Sequence, residues 1–183
     1  FDQAKKTLLF APIGDRYIRN NESDKFFLEI LSDLDINILV RLPPTDTVNF
    51  AGFKSRKAKV VFQETGVSFS KGGIKLRELQ RKDEESLIET LCRCDLVVTG
   101  QSTIAIDACV FDKPVVAAAF DKEPRPYWDS VRRYYDYEYY SRLLRAGGLK
   151  FAKNPEELLF FVKHYLESPS ADREGRKRVV AEQ

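Results

Sequence analysis

The run Gly100-Gln101-Ser102-Thr103, with Asp107 four residues beyond Thr103, holds the residue types that an anionic, hydroxyl-bearing ligand requires. The apolar stretch Asp95–Thr99 reads as a strand ending at Gly100, where the backbone turns tightly, and Gln101, Ser102 and Thr103 then open a helix. The first N–H groups of a helix have no partner within it, and together with two hydroxyls they make an anion site. Beyond them Ile104, Ala105, Ile106, Ala108, Cys109, Val110 and Phe111 leave the helix apolar almost all round, with Asp107 its only charge. Residues four apart share a helix face about 6 Å apart along the axis. That separation matches the step from a phosphate to the hydroxyls of a ribose. The pattern therefore suggests a nucleotide half-site, with phosphates at Ser102 and Thr103 and the ribose on Asp107. An ordinary helix cap, with Asp107 turned to solvent or to a neighbouring Arg or Lys, accounts for the same residues. A helix terminus contributes only ~0.3–2 kcal/mol to a bound anion, whereas micromolar affinity takes about 8 kcal/mol. Further contacts are needed, and Gly14-Asp15-Arg16 after the first strand and Arg41 after the second are placed to supply them.

Other chemistries find less support. No GxGxxG or GxxxxGK[ST] run is present, which disfavours a dinucleotide-dependent dehydrogenase or a P-loop NTPase. The three cysteines, Cys92, Cys94 and Cys109, and the single histidine, His164, are too few and too widely spaced for a tetrahedral metal site, so reduced thiols and no metal are expected. His164 falls on an amphipathic helix and reads as structural. Thirty Lys and Arg against 28 Asp and Glu leave a net charge of +2, which argues against a nucleic-acid partner and makes any anion site local. Tyr134, Tyr135, Tyr137, Tyr139 and Tyr140 crowd beside Arg132 and Arg133; packing against the sheet edge with wet hydroxyls is the plain reading, and contact with another domain the other.

The elements that must position these residues follow from the hydrophobic pattern. Strands are expected at Thr7–Ile13, Ile36–Leu42, Lys59–Gln63, Asp95–Thr99, Pro114–Ala119 and Leu149–Ala152. Helices are expected near Glu22–Leu34, Asp83–Arg93, Ser102–Phe111, Tyr137–Ala146 and Pro155–Glu167, with a last one from about Ala171. Asn154-Pro155 and Asp83-Glu84-Glu85 look like helix starts. Pro43–Lys57 and Gly66–Arg81, the latter with its Gly72-Gly73 pair, read as loops with short elements. Near-continuous apolar strands are those covered on both faces, so the fold class is α/β: a three-layer, Rossmann-like parallel sheet with helices on both faces, in a single domain over 1–183. Ligands of such sheets bind beyond the carboxyl ends of the strands. No segment approaches a membrane span and no signal-peptide core is present, so a cytoplasmic chain is expected. It opens at Phe1 and holds no Met, as a piece of a longer protein would.

The stretch from Leu87 to Ala108, followed by Phe111-Asp112-Lys113-Pro114-Val115-Val116, resembles the C-terminal donor-binding half of GT-B glycosyltransferases, in particular the CDP-glycerol glycerophosphotransferase and surface-polysaccharide branches. Leu8-Leu9-Phe10-Ala11-Pro12, Val40-Arg41-Leu42-Pro43-Pro44 and Tyr165-Leu166-Glu167-Ser168-Pro169 fall in the same order, so the resemblance covers most of the chain. It implies binding of a nucleotide-diphosphate donor for glycosyl or glycerophosphate transfer in polysaccharide or glycoconjugate synthesis, without a cofactor. It places Ser102 and Thr103 on the donor phosphates, Asp107 on the ribose, where Glu is usual, Arg41 facing the donor, and Leu79 against the base. The glycerophosphotransferase branch carries Arg-x-His-Pro where this chain has Arg41-Leu42-Pro43-Pro44, which points towards a glycosyl donor or a different branch. The resemblance also implies a separate N-terminal acceptor domain, which leaves this domain inactive alone and would carry any association with the inner face of the membrane. Two other readings compete: a UDP-N-acetylglucosamine 2-epimerase of the same architecture, and a non-catalytic flavodoxin-like interaction module.

Overall fold

The computed structural model describes residues 1–15, 18, 21–44, 46–71 and 74–182. Six parallel strands form one sheet in the order β3-β2-β1-β6-β7-β8, where β1 is Thr7–Ala11, β2 Asn37–Arg41, β3 Lys59–Gln63, β6 Leu96–Thr99, β7 Val115–Ala118 and β8 Leu149–Ala152. All six expected strands are present, and the α/β Rossmann-like class holds. The central strands are buried along their whole length, and their residues divide by alternation between two cores. Leu8, Phe10, Val98 and Val116 face α1 (Ser23–Leu31) and α5 (Pro155–Glu167). Leu9, Val97, Val115 and Ala117 face the side of α2 (Arg81–Arg93), α3 (Ile104–Val110), α4 (Glu138–Ala146) and α6 (Arg173–Ala181). Each fully buried Leu, Ile or Phe in these layers contributes about 1.5–3 kcal/mol.

Side chains pin the central pair at both ends. Asp95 accepts the Thr7 N–H at 2.8 Å, and Thr99 donates its hydroxyl to the Ala11 carbonyl at 2.9 Å. Helix α5 starts as its sequence dictates, with Pro155 in its first turn and the Asn154 side chain accepting from the Glu157 N–H at 2.8 Å.

Three local expectations are corrected. Gly66–Arg81 is an antiparallel hairpin, β4 (Val67–Lys71) with β5 (Ile74–Glu78), that forms its own two-stranded sheet; Gly72 and Gly73 lie outside the described residues. Helix α2 begins two residues before Asp83, which sits in its first turn and accepts the Gln80 N–H at 2.8 Å and the Gly66 N–H at 3.0 Å. Helix α3 begins at Ile104, because Ser102 N–H closes a tight turn onto the Gly100 carbonyl at 3.0 Å before the helix can start.

Candidate functional site

The chain leaves β1 for β2 and β3 on one side of the sheet, then returns for β6, β7 and β8 on the other. The order therefore reverses between β1 and β6, and the crevice beyond their carboxyl ends is where sheets of this kind take ligands. A cavity of about 260 Å³ opens there. Leu42, Pro43, Pro44, Leu79, Leu87 and Ile104 supply its apolar wall, and Arg41, Thr65, Ser102, Thr103 and Asp107 its polar one. Complete small-molecule pockets run to about 300–1,000 Å³, so this is the size of half a site. A larger cavity, about 590 Å³, lies at the amino ends of the strands, but its cations Lys5, Lys6 and Arg93 are paired with Asp35, Asp95 and Glu89.

Arg41, Leu79, Ser102, Thr103 and Asp107 thus meet in one cavity although they are spread over 66 positions of the chain. Asp107 is half-buried, and among the described residues it has neither a hydrogen bond nor an ion pair; burial holds its carboxyl above the usual range. The Thr103 hydroxyl caps no helix N–H, and the Ser102 hydroxyl makes only a long contact of 3.4 Å with the Ile104 N–H. Leu79 is half exposed at the cavity rim.

Arg41 is more committed than its sequence context suggests. Its guanidinium donates to Gln63 Oε1 at 2.9 Å, to the Asp83 carbonyl at 2.7 Å and, more distantly, to Ser86 Oγ at 3.5 Å. These bonds tie β2, β3 and α2 together and leave the Nε–H and one Nη2–H for anything in the cavity.

Gly14, Gly100 and Gln101 stand outside the cavity lining, and Arg16 lies outside the described residues. The Gly14 N–H is held by Asp24 at 2.9 Å, and with φ of +93° a Cβ there would lie 2.3 Å from Asp46 Oδ2. At Gly100 the expected tight turn is present, closed by the Ser102 N–H at 3.0 Å, and a second constraint adds to it: a Cβ would lie 2.1 Å from Ile13 Cγ1. The Gln101 side-chain oxygen is enclosed without a partner among the described residues.

Two supporting residues escaped the sequence reading. Asp24, 1% exposed at the start of α1, accepts from the Ile13 and Gly14 N–H groups at 2.8 and 2.9 Å and from Asn21 Nδ2 at 2.8 Å, which fixes the loop after β1. The only local signal was a polar Asn21-x-x-Asp24 pair where a helix begins. Tyr140 was seen only as one of the clustered tyrosines, whose hydroxyls prove partly dry. Tyr135 donates to the Ala118 carbonyl at 2.8 Å, and Tyr140 to the carbonyls of Ser102 at 2.9 Å and Gly100 at 3.2 Å.

Burial pushes the Asp24 carboxyl from its ordinary 3.8 up to about 6, against the pull of its three N–H donors and with a smaller push from Asp15. The folded chain therefore holds this proton more tightly than the unfolded chain. Its contribution to stability is present below pH ~4 and is lost as the pH rises through ~6, by about 3 kcal/mol in all. Asp24→Asn is expected to remove that part of the slope, which urea unfolding of both chains between pH 4 and 7 would measure.

Among the described residues, no group of three or more His, Cys, Asp and Glu stands together to hold a metal ion, and no helix is long and apolar enough to cross a membrane. All three cysteines are free, with Cys92 exposed and the other two buried.

No protein-family model matches the sequence, and neither does any curated protein. Solved structures do match. S. aureus MnaA with UDP is similar at a TM-score of 0.54 and 14% identity, over 95% of this chain and 40% of that one. The UDP-GlcNAc 2-epimerase of Neisseria meningitidis bound to UDP-GlcNAc gives 0.54 and 10% over 96% of this chain and 40% of its own. The glycosyltransferase SnogD of Streptomyces nogalater gives 0.52 and 15% over 98% and 39%. At these identities the likeness is one of fold: the chain shares a Rossmann-like α/β architecture with part of a glycosyltransferase and of a UDP-GlcNAc 2-epimerase, and spans about 40% of the length of the structures it matches.

Proposed function

We propose that this chain is the donor-binding domain of a two-domain GT-B-type transferase. It would hold a nucleotide-sugar, or a nucleotide-diphosphate alcohol, for glycosyl or glycerophosphate transfer in cell-surface polysaccharide or glycoconjugate synthesis. The observation that carries the reading is Asp107, a half-buried carboxylate without a partner among the described residues, in the wall of the switch-point cavity beside two uncommitted hydroxyls. A half-buried carboxylate is partly desolvated, as its raised pKa reflects, and donors brought by a ligand would offset that cost. A vicinal diol supplies two donors at the distance of one carboxylate, and a ribose carries such a diol. On this reading Ser102 and Thr103 face the diphosphate, Leu79 and the apolar wall take the base, and Arg41 shapes the cavity while offering its remaining N–H groups. Hydroxyls and amide groups aimed at the departing diphosphate would stabilise the charge that develops there during transfer. MnaA with UDP and the epimerase with UDP-GlcNAc match this chain over about 40% of their length, which leaves the acceptor and any catalytic base to a second domain.

Titrating the 183-residue chain with UDP, CDP and GDP, followed by amide NMR, tests the proposal. Shifts confined to Leu79 and Ser102–Asp107 at micromolar to millimolar nucleotide are expected. No shift there at millimolar concentrations of all three overturns it.

A further inference from the structure

We infer that Tyr140 is the positioning residue of the β6–α3 loop, and that its hydroxyl sets the two peptide planes that meet the diphosphate; the inference rests on the nucleotide-binding reading above. Tyr140 lies in α4, about forty positions from the loop, and is 4% exposed. Its hydroxyl donates to the Ser102 carbonyl at 2.9 Å and reaches the Gly100 carbonyl at 3.2 Å, so a single proton is shared between two acceptors that flank Gln101.

Each of those carbonyls belongs to a rigid peptide unit whose N–H points the opposite way. The Gly100 carbonyl fixes the direction of the Gln101 N–H, and the Ser102 carbonyl that of the Thr103 N–H. Neither N–H has an acceptor among the described residues. Held by Tyr140 from one side, both planes turn their donors to the other; of the two donor residues Thr103 lines the cavity, while Gln101 stands outside its lining. The ring is itself braced: it meets Tyr135 edge to face at 5.0 Å and Tyr139 at 5.4 Å. Burial keeps the hydroxyl protonated far beyond the neutral range, so it remains a donor.

Tyr135 provides the control. Its hydroxyl is also buried and also donates to a backbone carbonyl, that of Ala118 at the carboxyl end of β7, but it bonds neither of the loop carbonyls that Tyr140 holds. Tyr140→Phe and Tyr135→Phe each keep the ring and remove one buried O–H, so both lower the melting temperature by similar amounts. Dissociation constants of UDP and of uridine are then measured by NMR titration of the 183-residue chain and of both variants. Tyr140→Phe is expected to weaken UDP about tenfold and to leave uridine within twofold, because only the phosphate-facing planes lose their brace. Tyr135→Phe is expected to change neither. An unchanged UDP affinity in Tyr140→Phe, or equal losses in the two variants, overturns the inference alone. A wild-type chain that binds UDP, CDP and GDP not at all overturns the nucleotide reading, and the inference with it.

Discussion

Asp107→Ala is expected to raise the dissociation constant of UDP about 100-fold, ~2.7 kcal/mol, while the melting temperature of the free chain holds or rises. The two halves of this result have one cause. In the free protein the carboxylate is half-buried and forms no hydrogen bond or ion pair among the described residues, so its removal relieves a partly desolvated charge. In the proposed complex it would accept both ribose hydroxyls, and charge-assisted bonds of this kind contribute about 1.5–3 kcal/mol each. Asp107→Asn keeps the shape but loses the charge, and is expected to fall between, near tenfold. Because burial holds the Asp107 carboxyl above the usual range, nucleotide affinity falls as the pH drops into the range where it takes up its proton. The decisive comparison is UDP against 2′-deoxy-UDP: the wild type discriminates between them, and Asp107→Ala does not. A carboxylate with a purely structural role gives the reverse, a lower melting temperature with unchanged affinity.

The parts of this site that the sequence discloses are the ones fixed by local pattern. The strand at 96–99 and the apolar helix behind Asp107 follow from near-continuous burial on both sides of the sheet, and Asn154-Pro155 fixes the start of α5 to the residue. The hairpin at 67–78 departs from the loop expected there, although two five-residue runs alternating apolar and polar residues flank a Gly-Gly pair, a pattern that marks a hairpin. What the sequence hides are contacts between distant segments. Nothing near Arg41 announces that Gln63 and Asp83, 22 and 42 positions away, will take up its guanidinium. The glycines mislead in a similar way. Gly100 announces the tight turn that the Ser102 N–H closes, but its residue type is silent on the second constraint, Ile13 leaning across from the loop after the neighbouring strand β1, a fact of sheet order. Tyr140 shows the same limit, since a tyrosine in a cluster says nothing about which carbonyl its hydroxyl will find.

Far from the cavity, Gly175→Ala is expected to cost the fold about 3 kcal/mol or more, a fall of roughly 6–12 °C in melting temperature for a chain of this size. Helix α6 crosses the turn between α4 and β8 so closely that a Cβ on Gly175 would stand 2.0 Å from the Gly147 carbonyl oxygen and 2.6 Å from the Gly148 nitrogen. Backbone on both sides of the contact cannot rotate aside, so the helix must lift. Lifting it strains the next residue. Arg176, 1% exposed, donates to Asp112 at 2.9 Å and to the carbonyls of Ala171 and Pro169 at 2.6 and 3.0 Å. Arg176 is buried while Asp112 is half exposed, so pulling the guanidinium from these acceptors leaves a buried charge less well compensated and adds to the loss. The displacement also has a chemical signature. Cys109, on the α3 face that α6 covers, is 4% exposed, and burial pushes its thiol up to about 12. In the wild type only the exposed Cys92 is expected to react quickly with a thiol reagent, since Cys94 is also buried. In Gly175→Ala a second fast thiol appears, at position 109, at temperatures where far-ultraviolet circular dichroism still reports a folded sheet. A variant that melts like the wild type with one fast thiol would mean that α6 tolerates the added methyl, and that its close crossing over Gly147 and Gly148 does not hold the third layer in place.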